Sequence, residues 1–302
     1  MARVTADTQQ LHRVGLEDIF AQYNEGMTSI WKDIAPSSMS TTQAYIQFMQ
    51  EGDFMMAPVV GENTPINDDD IFYGNLTKVT PVKRGLGFSM STEAHESDQY
   101  GKLTNIVPKI KLAFNKTREQ AGANRINNAT SVAAAYVNPD GVALASASHP
   151  TDTSTTSNYM VTAFGPTALE TMVQNMIMTV SHRGDPDPQM GPYDLMIHPA
   201  QNFLAERVLF SEGQQGTANN DANRIGKRIR KLISSPYFTN TTFFALRNAE
   251  KRQQPFAVLV RRSLRVKTKE DIDLDIVKYR LTEMYVFFER GWRGFHYSAG
   301  TG

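Results

Sequence analysis

Six histidines, a run of three aspartates and two basic clusters are the side chains whose types and spacing could do chemistry in this chain. The histidines are His12, His95, His149, His182, His198 and His296. No pair has the i, i+4 spacing with an adjacent Glu that would hold zinc on a helix. His182 with Asp185, or His149 with Asp152, has the donor types for a metal, and His149, Asp152 and His198 together would outline a metal-assisted hydrolase. All of these lie beside Gly and Pro, a setting that reads as loop polar residues. There is no Gly-x-Ser-x-Gly elbow and no phosphate-binding Gly-x-x-x-x-Gly-Lys loop. Gly85-Leu86-Gly87-Phe88 is too short for a dinucleotide fingerprint. The chain has no cysteine, which excludes disulfides, thiolate metal sites and cysteine nucleophiles. The expectation is therefore no catalytic residue, no cofactor and no metal.

Asp68-Asp69-Asp70 has the carboxylates for a divalent cation but lacks the Gly and Glu spacing of a calcium loop. It reads instead as a solvated tip that pairs with basic groups on a neighbour. The basic clusters are Lys227-Arg228-Ile229-Arg230-Lys231, and Arg261-Arg262 with Arg265, Lys267 and Lys269. A nucleic-acid binder built on residues 227–231 would show steep salt dependence. However, Lys+Arg and Asp+Glu both number 31, for zero net charge, and no aromatics interleave the cations. Solvated faces, or contacts to acidic patches between subunits, are the reading for both clusters. So little self-repulsion also favours association.

Several elements must position these groups. Hydrophobic residues make up 40% and charged residues 21% of the chain, ordinary for a globular protein. A polar start and the absence of any long apolar window point to a soluble, cytosolic chain. Leu16, Ile19, Phe20, Tyr23, Met27, Ile30 and Trp31 recur at helical spacing, so a helix is expected from Leu16 to Asp33. A second helix begins at Ser91–Glu96. It continues from Leu103 through Ile106, Ile110 and Phe114 to Asn127, with Pro108 as a kink or a restart. It is long and mostly polar, in the manner of a scaffold spine. Further helices are expected after Gly165-Pro166 and from Pro199 to about Phe210. Strands are expected at Leu195–Ile197, Ile229–Ile233, Thr242–Leu246, Phe256–Val260, Asp271–Ile276 and Leu281–Phe288. The Asp271–Ile276 run alternates strictly. The run from Gly213 to Asn223 reads as a mobile loop.

The stretch from Tyr45 to Met90 looks built for a partner. Thr41–Gln50 and Gly74–Met90 read as extended, and the segment between them is neither tight turn nor helix. Connections this long inside a compact domain usually bind something or stay mobile. If Thr41–Ala57 is extended, it spans roughly 55 Å at about 3.3 Å per residue. A compact chain of this length has a radius of gyration of about 19 Å, so such an arm would overhang its own domain. Flexible Met beside an aromatic at Phe54-Met55-Met56 suits an adaptable contact surface. Expected inter-subunit contacts are Trp31, Phe54, Met55, Met56, Asp68, Asp69, Asp70, Lys83 and Arg84.

Three groups of phrases, in this order and spacing, carry a resemblance. The first is Gly74-Asn75-Leu76-Thr77-Lys78-Val79 to Gly87-Phe88-Ser89-Met90-Ser91. The second is Leu144-Ala145-Ser146-Ala147-Ser148-His149-Pro150 leading to Ser157-Asn158. The third is Tyr193-Asp194-Leu195-Met196-Ile197-His198-Pro199 and the helix to Phe210-Ser211. Over about residues 40–300 the chain resembles the major capsid proteins of tailed bacteriophages with the HK97-type fold, nearest the Mu-like major head subunit branch. The resemblance implies an α+β fold with an N-terminal arm (1–40) and an extended E-loop hairpin (41–91). It also implies a P-domain with a long spine helix (92–140 and 262–302) and an A-domain (141–261). It implies a non-enzymatic shell protein that assembles through pentamers and hexamers around the phage genome, without sequence-specific DNA contacts and without a membrane. A separate scaffolding protein and a portal would be partners, with assembly in the host cytoplasm and residence in the virion capsid. An encapsulin-like nanocompartment is the alternative within the same fold. A cargo pocket lined by the N-terminal helix around Ile19, Phe20 and Trp31 would favour it.

Overall fold

The structure is a computed structural model. It describes residues 29–52, 54–66, 68–71, 73–91, 102–152, 154–211, 213, 223–250, 254–271 and 274–300. The expected helix over 16–28, the helix start over 92–96 and most of the 213–223 loop lie outside these.

Two sheets share one apolar joint. The first has the order β1 (Ser37–Ser40), β11 (Phe256–Asp271), β12 (Ile276–Glu289) and β4 (Val82–Ser91), with β1 parallel to β11 and the rest antiparallel. The second has the order β7 (Tyr159–Met160), β13 (Phe295–Ser298), β10 (Phe244–Asn248), β8 (Tyr193–Ile197) and β9 (Ile229–Ser234). A separate hairpin pairs β2 (Ile46–Glu51) with β3 (Tyr73–Val79), and a short ribbon pairs β5 (His149–Pro150) with β6 (Thr155–Thr156).

In the second sheet every residue of β8 and β10 is buried, which marks them as central strands. Tyr193, Leu195, Ile197, Phe244 and Leu246 face helices α3 (Pro166–Ile177) and α4 (Asn202–Phe210). The alternate residues, Met196 and Ala245, face a larger cluster that also holds Val258, Tyr285, Phe287, Trp292 and Phe295. This shared cluster welds the two sheets together. Helix α3 starts on Gly165-Pro166, where Pro supplies a helical φ and needs no donor.

The long helix α2 (Lys102–Asn127) lies on the first sheet. It runs continuously through Pro108, so the proline neither ends it nor restarts it. Ile110 and Phe114 meet Leu281, with Phe88, Ile106, Leu264 and Val266 beside them. Further along, Ala123 and Ile126 enter the shared cluster. Polar residues at the same pitch tie the helix down: Arg118 pairs with buried Glu283, and Arg125 with buried Glu289 at 3.1 Å. Burial pushes the Glu283 carboxyl up, against the pull of Arg118. Gly122 lets Trp31 approach, since a Cβ there would sit 3.3 Å from the Trp31 Cβ.

Two expectations are corrected. Asp271–Ile276 does not form one strand: β11 ends at Asp271 and β12 begins at Ile276. Asp275 adopts φ 48° and Leu274 is 65% exposed. Asp tolerates the left-handed turn conformation, and an alternating acidic run serves an exposed hairpin end as well as a strand. The strand expected to stop at Val260 continues to Asp271: Leu264 and Val266 turn toward the spine helix while Arg265, Lys267 and Lys269 lie exposed on the other face.

Candidate assembly interface

The β2–β3 hairpin is covered only at its base. Ile46 and Phe48 pack on the cluster of Val79, Ala257, Leu259 and Phe288, with the Phe48 and Phe288 rings 5.5 Å apart. The alternate positions Tyr45, Met49 and Leu76 are exposed, and the Lys78 ammonium lies 4.1 Å from the Tyr45 ring centroid. A register shift between Met49 and Glu51 marks where the pairing begins to loosen. The strand ends at Glu51, next to the Gln50 end of the expected extended run, and does not continue to Ala57.

Beyond that point the chain exposes Phe54 (58%), Met56 (65%) and Ile66 (80%), together with Met55, Val59 and Val60. Large apolar groups so displayed mark interaction sites. The tip is not an unsupported overhang. The Met55 N–H donates to Asp69 Oδ2 at 2.7 Å across the loop. Arg183, from the loop after α3, donates to Asp69 Oδ1 at 2.9 Å and to the Asp70 carbonyl at 2.7 Å. The Met55 N–H and, secondarily, the Arg183 guanidinium hold the Asp69 carboxyl below its usual value. Arg183 was invisible to sequence reasoning: in His182-Arg183-Gly184-Asp185 only His182 and Asp185 stood out, as donor types for a metal.

The other expected contact residues fall in three settings. Asp68 and Asp70 are exposed beside Asp69. Lys83 is exposed on β4, opposite Met284, while Arg84 points to the other face and stacks 4.3 Å from the Tyr285 ring. Trp31 sits in the short helix α1 (Trp31–Ile34) and packs within its own chain. Its backbone N–H donates to Glu119 Oε2 at 2.9 Å, and its ring meets Phe287 edge-on at 5.8 Å.

The candidate metal ligands do not come together among the described residues, which leave out His12 and His95. His149 is fully buried, with Nδ1 donating to Asp140 at 2.6 Å and Nε2 facing Asn158 Oδ1 at 3.0 Å. The Asn158 amide donates to the Leu144 and Phe295 carbonyls, and Trp292 stacks 4.3 Å from the imidazole. Asp152 instead approaches His182 and Arg183, and His198 accepts from the Ala200 N–H at a helix start. Among the described residues no group of three or more His, Asp or Glu side chains could hold a metal. In the 227–231 cluster Arg230 pairs with Asp194 and Lys231 with Asp33. Asp194 also binds Arg247, a nearly inaccessible arginine that donates to the Ile34 carbonyl at 2.9 Å. No described helix is long and apolar enough to cross a membrane.

A two-sheet body, a helical spine and a hairpin displaying apolar side chains define a structural protein that meets copies or partners. The phage capsid protein family model matches residues 75–298, and the chain belongs to that family. Its fold is the HK97-type capsid fold. The mature capsid of bacteriophage PhiM1 matches with TM-score 0.58 at 10% identity, covering 92% of this chain and 88% of that one. The capsid of cyanophage P-SCSP1u matches with TM-score 0.60 at 12% identity, covering 91% and 89%. The holo-SrpI encapsulin complex of Synechococcus elongatus PCC 7942 matches with TM-score 0.51 at 13% identity, covering 89% and 86%. No curated protein sequence matches.

Proposed function

We propose that this major capsid protein closes through pentamers and hexamers into an icosahedral shell around a phage genome. The observation that carries this reading is the hairpin, tied to its own chain at its base and through Arg183 at Asp69 and Asp70, yet with Phe54, Met55 and Met56 exposed. Burying Phe54, Met55 and Met56 against a neighbouring subunit would satisfy it, and makes the assembly rather than the protomer the functional unit. We assign residues 1–40 as an arm, 41–91 as the E-loop, 92–140 with 262–302 as the P-domain, and 141–261 as the A-domain. Residues 256–261 pair in one sheet with the strand over 276–289, and residues 295–298 pair in the other with the strand over 244–248. A scaffolding protein, a portal and assembly in the host cytoplasm complete the reading, with no catalysis. Zero net charge suits a container that must release its contents. The family membership favours a phage shell over an encapsulin-like compartment, since the encapsulin likeness is one of fold alone.

Negative-stain electron microscopy with light scattering, on the chain alone and co-expressed with its neighbouring genes, tests the proposal. Closed shells, or rings of five or six that close with a scaffold, are expected. A chain that stays monomeric in every condition would overturn it. Deleting residues 50–72 should leave a folded, soluble protomer that builds no shells; normal particles from that deletion would refute the role given to the hairpin.

A further inference from the structure

A cavity of about 230 Å³ opens between α2 and the first sheet, where β4 begins. Arg84 of β4 lines it on the sheet side, and Gln120, Asn124 and Arg125 line it on the helix side, beside Tyr136 and Tyr285. Among the described residues no acidic side chain lines it. Its two arginines are not equivalent. Arg125 is held by Glu289 at 3.1 Å and by the Ala135 carbonyl at 2.5 Å. Arg84 stacks on the Tyr285 ring and reaches only that residue's carbonyl, at a long 3.4 Å. The register sets Glu283 opposite Arg84, but Arg118 binds that carboxylate from the helix. Among the described residues no carboxylate forms an ion pair with Arg84, which is half-buried. A partly desolvated guanidinium without a counter-ion destabilises a fold, and an anion beside it relieves that cost.

The wall holds further unused donors. Tyr285 is 2% exposed, and its hydroxyl is buried without a hydrogen-bond partner. A buried polar group left so in a folded chain calls for a ligand or a water. The Gln120 and Asn124 side-chain amides bond to no other described residue, and each can donate twice. One guanidinium fork is enough for a planar carboxylate, whereas donors converging from helix and sheet suit a tetrahedral oxyanion. The volume lies below the roughly 300–1,000 Å³ of ordinary small-molecule sites, so the ligand is small. We propose that this cavity binds a phosphate ion, held by Arg84 and Arg125 with the Gln120 and Asn124 amides, which bridges β4 to the spine helix. Every group belongs to one protomer, so the inference stands apart from the shell reading.

The test titrates the full chain with inorganic phosphate by calorimetry, with ionic strength held constant by chloride. One ion per chain is expected, and the thermal melt should rise with occupancy, since a ligand bound only to the folded state stabilises it. Arg84→Gln removes the unpaired charge and should weaken phosphate binding at least tenfold. That change also removes the stacking on Tyr285, so Gln120→Glu serves as a second variant. Its carboxylate stands in for the ion on an exposed helix position where Glu is a good helix former. It should melt no lower than the parent without phosphate, and phosphate should raise its melting temperature no further.

No saturable heat from phosphate, or parent-like affinity in either variant, would overturn the proposal. Malonate binding as tightly as phosphate would make this a carboxylate site and overturn the choice of ion. A short single-stranded DNA that binds through Arg84 while inorganic phosphate gives no heat would assign the cavity to a nucleic-acid backbone, and would overturn it too. Failure of the chain to build shells leaves the phosphate titration, and the inference, where they stand.

Discussion

Glu289 closes β12 at 5% exposure, facing Arg125 of the spine helix. Burial pushes its carboxyl up to about 7 from an ordinary 4.5, against the opposing pull of Arg125. The folded value lies above the unfolded one. Stability from this group is therefore full below about pH 4.5 and is lost as the pH rises through about 7. Acidifying from pH 8 to pH 5.5 should gain about 2 kcal/mol from Glu289 alone. Glu289→Gln keeps an oxygen for Arg125 but cannot take up a proton, so it forfeits that gain. At an unfolding entropy of roughly 2.1 cal/mol/K per residue, 2 kcal/mol corresponds to about 3 °C. Tm values for parent and variant at pH 8 and pH 5.5 should thus diverge by about 3 °C on acidification, the parent faring better. Parallel pH profiles for the two chains would refute the buried-carboxylate reasoning.

Other perturbations probe different parts of the molecule. His296 is 1% exposed, and burial, then His149, hold its imidazole down at about 3. Its stability is present above the unfolded value of about 6.5 and falls away in acid, so His296→Phe should recover about 1.4 kcal/mol at pH 5.5 relative to pH 8 in urea titrations. Asp194→Asn leaves Arg247 buried without its counter-ion. It should cost on the order of 3–5 kcal/mol, a Tm drop of about 5–8 °C, and speed amide exchange around Ile34. Phe54 exposes 58% of its surface, about 115 Å² of a ring side chain. Burying it in an assembly is worth up to about 3 kcal/mol per contact. Phe54→Ser should therefore weaken subunit association roughly 100-fold by sedimentation while leaving the protomer's Tm unchanged.

Local pattern was enough for elements whose periodicity matched their environment. Helix α3 starts at its Gly-Pro signal, and α2 keeps the Ile106, Ile110 and Phe114 stripe that meets the sheet. The same logic failed at Asp271–Ile276, where strict alternation described a hairpin end, and at Val260, where the continuous apolar run stops but the strand does not. Alternation reports which residues share a face; it does not report whether that face is covered. The exposure of Phe54, Met55 and Met56 was legible because apolar residues in a long connection are conspicuous. The packing of Trp31 within its own chain was not legible, because its partners, Glu119 and Phe287, lie far along the chain.

The sequence by itself determined the absence of thiol chemistry, the zero net charge, the acidic loop and the order of elements that marks a phage capsid protein. These are properties of composition and of short-range spacing, which survive without a fold. Only the tertiary structure decided that Asp69 is held by Arg183, that Arg247 joins Asp194 to the Ile34 carbonyl, and that Lys267 stands opposite Arg280. Each depends on strand register or on contacts between distant segments. A one-residue change of register would turn every side chain of a strand to its other face, so no local pattern can specify which charges meet.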